Sequence, residues 1–381
     1  MRSCHCFRIA ALSSGLAALL AATVAAPAQL TSSLPGYLLL ADTKAAGIAD
    51  LVLIYQGGAH RPAWTPDEFA PYVSFRERGQ GRGSWLFDGF LFIEFKDDRG
   101  HEYAKGYQQK AARQKEWLWL LERNFERGHA IDALDWATAS VAKRLGPAPR
   151  RRQIVLTLPE PIHGQTDWGE LDGRTLDFTK SEDRIAACAW QVKKALAKWR
   201  ALNPKHLDLA GFYWVAEHSL HGDAILPRIA ADIHAQGKRF FWIPFWNAQG
   251  TADWRSLGFD AAYQQPNHFF HPEIPDSRLD AACAFASTNQ MGLEFECDGR
   301  ALKSEEVFRP RLRAYLEAFE RNGVNTNAAM AYYEGGGALR QMANSADPQG
   351  RALYDEVARW VAARQRLADA VQLPPKQPFR K

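Results

Sequence analysis

Eight short runs of the chain are dense in β-branched, aromatic and aliphatic residues, and stretches of helical periodicity separate them. The runs are Leu51 to Gln56, Phe87 to Phe95, Gln153 to Leu158, Leu209 to Val215, Arg239 to Trp246, Asp260 to Gln265, Met291 to Cys297 and Ala328 to Tyr333. Helices are expected over Lys110 to Arg127, Ile131 to Leu145, Ser181 to Ala201, Asp223 to Gln236, Arg278 to Ala286, Ser304 to Asn322 and Gly350 to Ala368. Thr65-Pro66-Asp67-Glu68 has the form of a capping box with proline at the first helical position, which predicts a further helix from Thr65 toward Ser74. Gly128, Gly146, Gly237 and Gly323 fall where helices should stop. Strands alternating with helices predict parallel strands joined by crossovers. Eight such units predict an α/β fold, a (β/α)8 TIM-type barrel in a single domain, with a helical insertion after strand 2. A doubly wound open sheet fits less well, because no GxGxxG or P-loop follows the first strand.

The two ends read differently from the middle. Arg2 and Arg8 flank a basic start, Ile9 to Ala26 is an apolar run, and Ala26-Pro27-Ala28 offers the small residues a signal peptidase reads. A signal peptide over residues 1–28, a barrel over 29–368 and a disordered tail over 369–381 are therefore expected. The tail contains Pro374, Pro375 and Pro378. The implied location is periplasmic or secreted, with no membrane span after cleavage.

Composition supports a packed interior: 46% of residues are hydrophobic, and 13 Trp, 21 Phe and 11 Tyr are enough to fill a large core. The net charge of +4 leaves one dense basic cluster, Arg150-Arg151-Arg152, which argues against a nucleic-acid partner. Cys188, Cys283 and Cys297 remain after cleavage, with no CxxC pair. Cys283 and Cys297 flank one helix-to-strand connection and are either a bridge or two buried thiols.

In a (β/α) barrel the chemistry stands at the strand C-termini, and here those ends are rich in carboxylates and aromatics. Glu94 ends the second run, Glu160 follows the third, Glu217 the fourth, Glu294 and Glu296 lie in the seventh, and Glu334 follows the eighth. Side-chain alternation turns Glu294 and Glu296 inward and gives Glu217 the face of Tyr213 and Val215. Strands four and seven stand across the ring from each other, so Glu217 and Glu296 are the candidate pair for glycoside hydrolysis. Glu217 is the expected acid/base and Glu296 the nucleophile, at the shorter separation that gives retention. Glu294, Glu334, Tyr213, Trp64, Trp246, Asn247, Gln265, Asn267 and Tyr333 are the candidate carbohydrate-binding residues, aromatics for ring faces and polar groups for hydroxyls. Gly335-Gly336-Gly337 is either a close approach to ligand or a plain turn. Neither a cofactor nor a metal is expected. His218, His221, His268 and His271 form no HExxH, and the first strand lacks an HxH. Two alternatives stay open: a non-catalytic carbohydrate-binding barrel of a cell-envelope or exopolysaccharide system, and a metal-dependent hydrolase using the loop histidines.

The blocks LVLIYQGG, WTPDEFAPYVSF, LFDGFLFIEF, IVLTLPEP, LAGFYWVAE, FFWIPFW, AAYQQPN, LEFE and AMAYYEGG, in this order and spacing, resemble the bacterial domain-of-unknown-function family 4855. The similarity runs from about Leu38 to Val361, and it implies a glycosidase-like barrel in exported bacterial proteins. The glutamates of strands four and seven look like those of many retaining barrel glycosidases. One position departs from that pattern: Ala216 stands where those enzymes commonly carry Asn before the strand-four glutamate.

Overall fold

All eight predicted runs become parallel strands, and they close into one barrel in chain order. The computed structural model describes residues 36–77, 81, 83–303 and 306–372. The expected signal peptide and the last nine residues of the expected tail lie outside them. The strands are Asp50–Tyr55, Gly89–Ile93, Arg152–Leu158, Leu207–Trp214, Arg239–Trp242, Ala261–Gln264, Gly292–Glu296 and Met330–Tyr333. The first pairs with both the second and the eighth, which completes the ring.

Alternation along each strand sorts the core into two layers. Leu51, Leu53, Leu91, Val155, Phe241, Tyr263 and Ala331 fill the barrel interior. Val52, Ile54, Phe90, Phe92, Phe212, Trp214, Leu293 and Phe295 pack outward against the helices. At Gly211 the register between the third and fourth strands slips, and a Cβ there would sit 1.9 Å from the Arg239 carbonyl oxygen. Only glycine lets the fourth and fifth strands approach so closely.

The crossover helices include Pro66–Val73, Ser181–Leu202, Leu226–Ala235, Ser277–Thr288, Phe308–Arg321 and Pro348–Gln372. The glycines expected to stop helices all take positive φ: 76° at Gly128, 89° at Gly146, 68° at Gly237 and 70° at Gly323. Thr65 is the N-cap residue, but its hydroxyl makes no capping bond. The Glu68 carboxylate of the expected box instead pairs with Arg340. After the second strand the insertion holds two helices, Gln114–Asn124 and Ala130–Leu145. The first begins four residues later than expected because Lys110–Ala111 is drawn into a ribbon with His101–Glu102. The last helix continues through 369–372, which the sequence assigns to the tail. Asp369 is held there by Arg150 at 2.8 Å, and the Gln372 side chain donates to the Ala41 carbonyl at 2.9 Å.

The amino ends of the strands are locked by buried charge. Arg364 donates to Asp50 at 2.6 Å and to the carbonyls of Ala49, Val324, Asn325 and Ala328. Tyr332 and Gln365 also donate to the Asp50 carboxylate, each at 2.7 Å. The basic cluster is consumed within the fold: Arg150 pairs with the buried Asp88 and with Asp369, Arg151 pairs with Asp208 at the surface, and Arg152 is buried over the Trp85 ring. Cys188, Cys283 and Cys297 are buried free thiols. No helix among the described residues is long and apolar enough to cross a membrane.

Candidate active site

The carboxyl ends of the strands surround a cavity of about 380 Å3, and Glu217, Glu294 and Glu296 all line it. Glu294 and Glu296 come from alternate positions of the seventh strand, facing inward, while Leu293 and Phe295 face the helices. They are 2% and 1% exposed, so each carboxylate needs a partner or a proton. Glu217 continues the inward face of Tyr213 and Val215 just past the fourth strand and is half-buried.

Two amides link the carboxylates of strands four and seven. Gln265 donates to Glu217 Oε1 at 2.6 Å and to the Ile243 carbonyl at 2.9 Å, so both of its N–H bonds are directed. Its oxygen accepts from Asn267 Nδ2 at 2.9 Å, and the same nitrogen reaches Glu296 Oε1 at 3.4 Å. Asn267 sits at φ 49°, a left-handed conformation that asparagine tolerates, and its oxygen accepts the Trp246 backbone N–H at 2.6 Å. Glu296 Oε2 also accepts from the His268 N–H at 3.1 Å and from the Tyr315 hydroxyl. The second oxygen of Glu217 accepts from the Tyr107 hydroxyl at 2.8 Å.

Burial raises the pKa of all three acids by disfavouring their charged forms. Glu296 is pushed up to about 7 by burial, held back by its bonds from Tyr315, His268 and Asn267. Burial likewise raises Glu217, against the bonds from Gln265 and Tyr107. Glu294 is raised well above the usual carboxylate range by burial and then by the charges of Glu296 and Glu217. Its Oε1 is buried with no hydrogen-bond partner. The site therefore offers one carboxyl whose charged form is disfavoured by its surroundings beside two that are well supplied with donors.

Aromatic rings form a collar around these acids. Tyr55 and Tyr333 meet edge to face at 5.7 Å, Phe270 meets Tyr333 at 5.3 Å, and Tyr107 stacks on Phe95 at 4.3 Å, all five lining the cavity. Arg61 lies 4.4 Å over Tyr55 and grips Glu94 through two bonds of 2.6 and 2.7 Å. Lys96 completes the rim. Tyr107 is placed by its loop: the Gly106 and Gln108 N–H groups each donate to Glu102 Oε2 at 2.9 Å, and the Lys105 N–H donates to Glu160 at 2.8 Å.

Of the residues nominated from the sequence, Glu217, Glu296, Glu294, Gln265 and Tyr333 line this cavity, and Asn267 reaches it through its amide. Tyr213 is buried in the barrel interior on the same face as Glu217. The others lie elsewhere. Trp64 is fully buried on the helix side, stacked on Phe69 at 5.0 Å with its indole N–H on the Tyr55 carbonyl. Trp246 packs against Arg278 and Phe285, and Asn247 is exposed. Glu334 shares the outward face of Tyr332 and accepts from Tyr72 and from the Leu339 N–H. Tyr55, Arg61, Phe95, Lys96, Tyr107 and Phe270 line the cavity without having been nominated.

The loop histidines are dispersed: His268 is buried against Asp276, His271 contacts Glu273, and His221 stacks on His163. Among the described residues no group of three or more His, Cys, Asp and Glu stands close enough to hold a metal ion.

Comparison with solved structures finds distant likenesses. A GH113 β-1,4-mannanase is 10% identical, with 81% of this chain and 97% of that chain covered and a TM-score of 0.41. A hyperthermophilic endo-β-1,4-glucanase is 11% identical over 79% of this chain and 96% of its own, with a TM-score of 0.38. A D-psicose 3-epimerase is 15% identical over 84% of this chain and 99% of its own, with a TM-score of 0.36. Comparison with curated proteins returned no match. The model of the family described as a domain of unknown function, DUF4855, matches residues 50–359, and the chain belongs to that family.

Proposed function

We propose that the protein is a glycoside hydrolase acting on a polysaccharide or glycan, with Glu217 as acid/base and Glu296 as nucleophile. The observation that carries this reading is the arrangement of these two acids on one cavity, joined through the Gln265 and Asn267 amides and ringed by aromatic side chains. Two opposed carboxyl groups are what cleavage of a glycosidic bond uses, and flat rings suit the apolar faces of sugars. The bonds from Tyr315, His268 and Asn267 offset part of the burial that raises Glu296, and in its charged form Glu296 attacks the anomeric carbon to form an ester. As the bond between that carbon and the glycosidic oxygen breaks, its electron pair goes to the oxygen, which takes the Glu217 proton. A water then gives a proton back to Glu217 while its oxygen displaces the Glu296 carboxylate from the anomeric carbon, with net retention. Glu294 lines the same cavity with Oε1 unpartnered, and burial favours its protonated form, which suits it to hydrogen-bond a sugar hydroxyl.

The test is a screen of the purified protein against bacterial envelope polysaccharides with reducing-end detection. Glu217→Gln should lower turnover about 10²- to 10⁴-fold, the usual weight of a general acid/base, and Glu296→Gln should lower it at least as much, with both variants folded. Proton NMR of the first product should show the anomer of the substrate. Glycan binding with no turnover would favour a carbohydrate-binding barrel instead.

A further inference from the structure

Two separate cavities meet at Glu217. Beyond the Tyr107–Glu217 hydrogen bond lies a second cavity of about 200 Å3, walled by Lys105, Ala216, His218 and Phe245. Tyr107 and Glu217 line both cavities, whereas Glu294 and Glu296 line the larger one alone. We propose that the smaller cavity is the leaving-group subsite, which receives the pyranose unit released when the glycosidic bond breaks.

The inference rests on the hydrolase reading above and deepens it. A glycosidic oxygen belongs to both of the sugar units it joins. The acid that protonates it must therefore border both, while the carboxylate that attacks the anomeric carbon needs to border one. Glu217 and Glu296 divide in that way. The division also gives the bound chain a direction: the unit that becomes attached to Glu296 lies in the larger cavity, and the departing unit lies beyond Glu217.

The walls of the smaller cavity suit a sugar. Phe245 is half-buried, which leaves part of its ring for the apolar face of a pyranose. His218 meets that ring edge-on at 6.3 Å, and its Nδ1 accepts the Leu220 N–H at 3.2 Å. The ring proton is therefore on Nε2, which becomes the nitrogen able to donate to a hydroxyl. The wall between the cavities is a pair of side chains, so a chain of sugars can span them once the Tyr107 hydroxyl turns from Glu217 to a ligand oxygen.

Calorimetric titration of the Glu296→Gln protein provides the test, using cellobiose, mannobiose, xylobiose, chitobiose and digalacturonate alongside their monosaccharides. At least one disaccharide should bind more tightly than its monosaccharide. Phe245→Ala and His218→Ala should each reduce that ratio about five- to ten-fold, the size of one lost ring or hydrogen-bond contact. Tyr333→Ala, in the larger cavity, should weaken both ligands together. A disaccharide advantage that survives both Phe245→Ala and His218→Ala places the second unit elsewhere and overturns the subsite, as does binding of monosaccharides and disaccharides with equal affinity. If none of the saccharides binds, the hydrolase reading itself falls and the subsite with it.

Discussion

Gln265 and Glu217 approach to 2.6 Å, and the amide that makes this contact has its other N–H fixed on the Ile243 carbonyl. A donor aimed at a carboxylate favours the charged form, so this bond holds the Glu217 pKa down against the burial that raises it. Gln265→Leu should therefore move the Glu217 pKa further up. In the proposed mechanism Glu217 is the acid, which works only while protonated, so the alkaline limb of the rate profile should move to higher pH. Carbon-13 NMR titration of the Glu217 carboxyl reads the same shift without a substrate. A pKa that stays put or drops would show that Gln265 does not set the charge of Glu217.

Trp246→Ala should leave saccharide affinity within about two-fold while lowering stability by about 1–2 kcal/mol, the scale of a cation–π contact with its ring packing. The Trp246 ring lies 4.8 Å from the Arg278 guanidinium and 6.1 Å from Phe285, and its contribution to the site is its backbone N–H, which an alanine retains. Affinity and thermal melts measured together separate the two effects. A large loss of affinity at unchanged stability would put the ring back in the cleft.

Alternation made the barrel and its acid cluster legible, because the inward face of a strand end is fixed by a period of two. Glu294 and Glu296 follow from it directly, and Glu217 follows from Tyr213 and Val215. Applied consistently, the rule also removes Glu334: it is adjacent to Tyr333, which faces the cavity, so it belongs to the face of Tyr332. Trp64 is another matter, since it stands in a loop with no periodicity and is recruited to the core by its stacking on Phe69. Tyr107 and Arg61 had no periodic signal either. Arg61 is held by Glu94, distant in sequence, and the Tyr107 loop by the distant Glu160 together with the nearby Glu102. The nearest sequence clue was Arg61 itself, a cation a few residues beyond the first strand and its Gly57-Gly58 turn.

Arg364→Met should be among the most damaging substitutions away from the mouth. It removes the cation from a buried pair in which Asp50 and Arg364 are almost wholly shielded from water. It also takes a donor from four carbonyls beside the closing strands, of which those of Ala49 and Val324 keep a backbone N–H. Breaking a buried pair in this way costs about 3–5 kcal/mol. Urea unfolding should show that loss, and a loss below about 1 kcal/mol would mean that the network contributes little to closure. The double change Asp50→Asn with Arg364→Met should recover part of the stability, because it no longer strands a buried charge.

Glu334 gives a pH-dependent prediction that is independent of catalysis. Its pKa is raised from 4.5 to about 8, first by burial, with bonds from the Leu339 N–H and the Tyr72 hydroxyl opposing the rise. A carboxyl whose pKa is higher folded than unfolded binds its proton more tightly in the folded state. The stability contributed by the neutral form is thus complete below the unfolded value near 4.5, erodes as the pH climbs, and is lost once the pH passes about 8. Gln at this position keeps an oxygen for both donors and never ionises. The melting temperature of Glu334→Gln relative to the unsubstituted protein should therefore rise between pH 5 and pH 9, by about 2 °C or more. Glu294 and Glu296, whose pKa values are also raised, titrate in both proteins and cancel in the difference. A difference that is constant across this range, or that shrinks toward pH 9, would mean that Glu334 is already charged in the folded protein at pH 5, with Tyr72 and Leu339 sufficient to hold the charge.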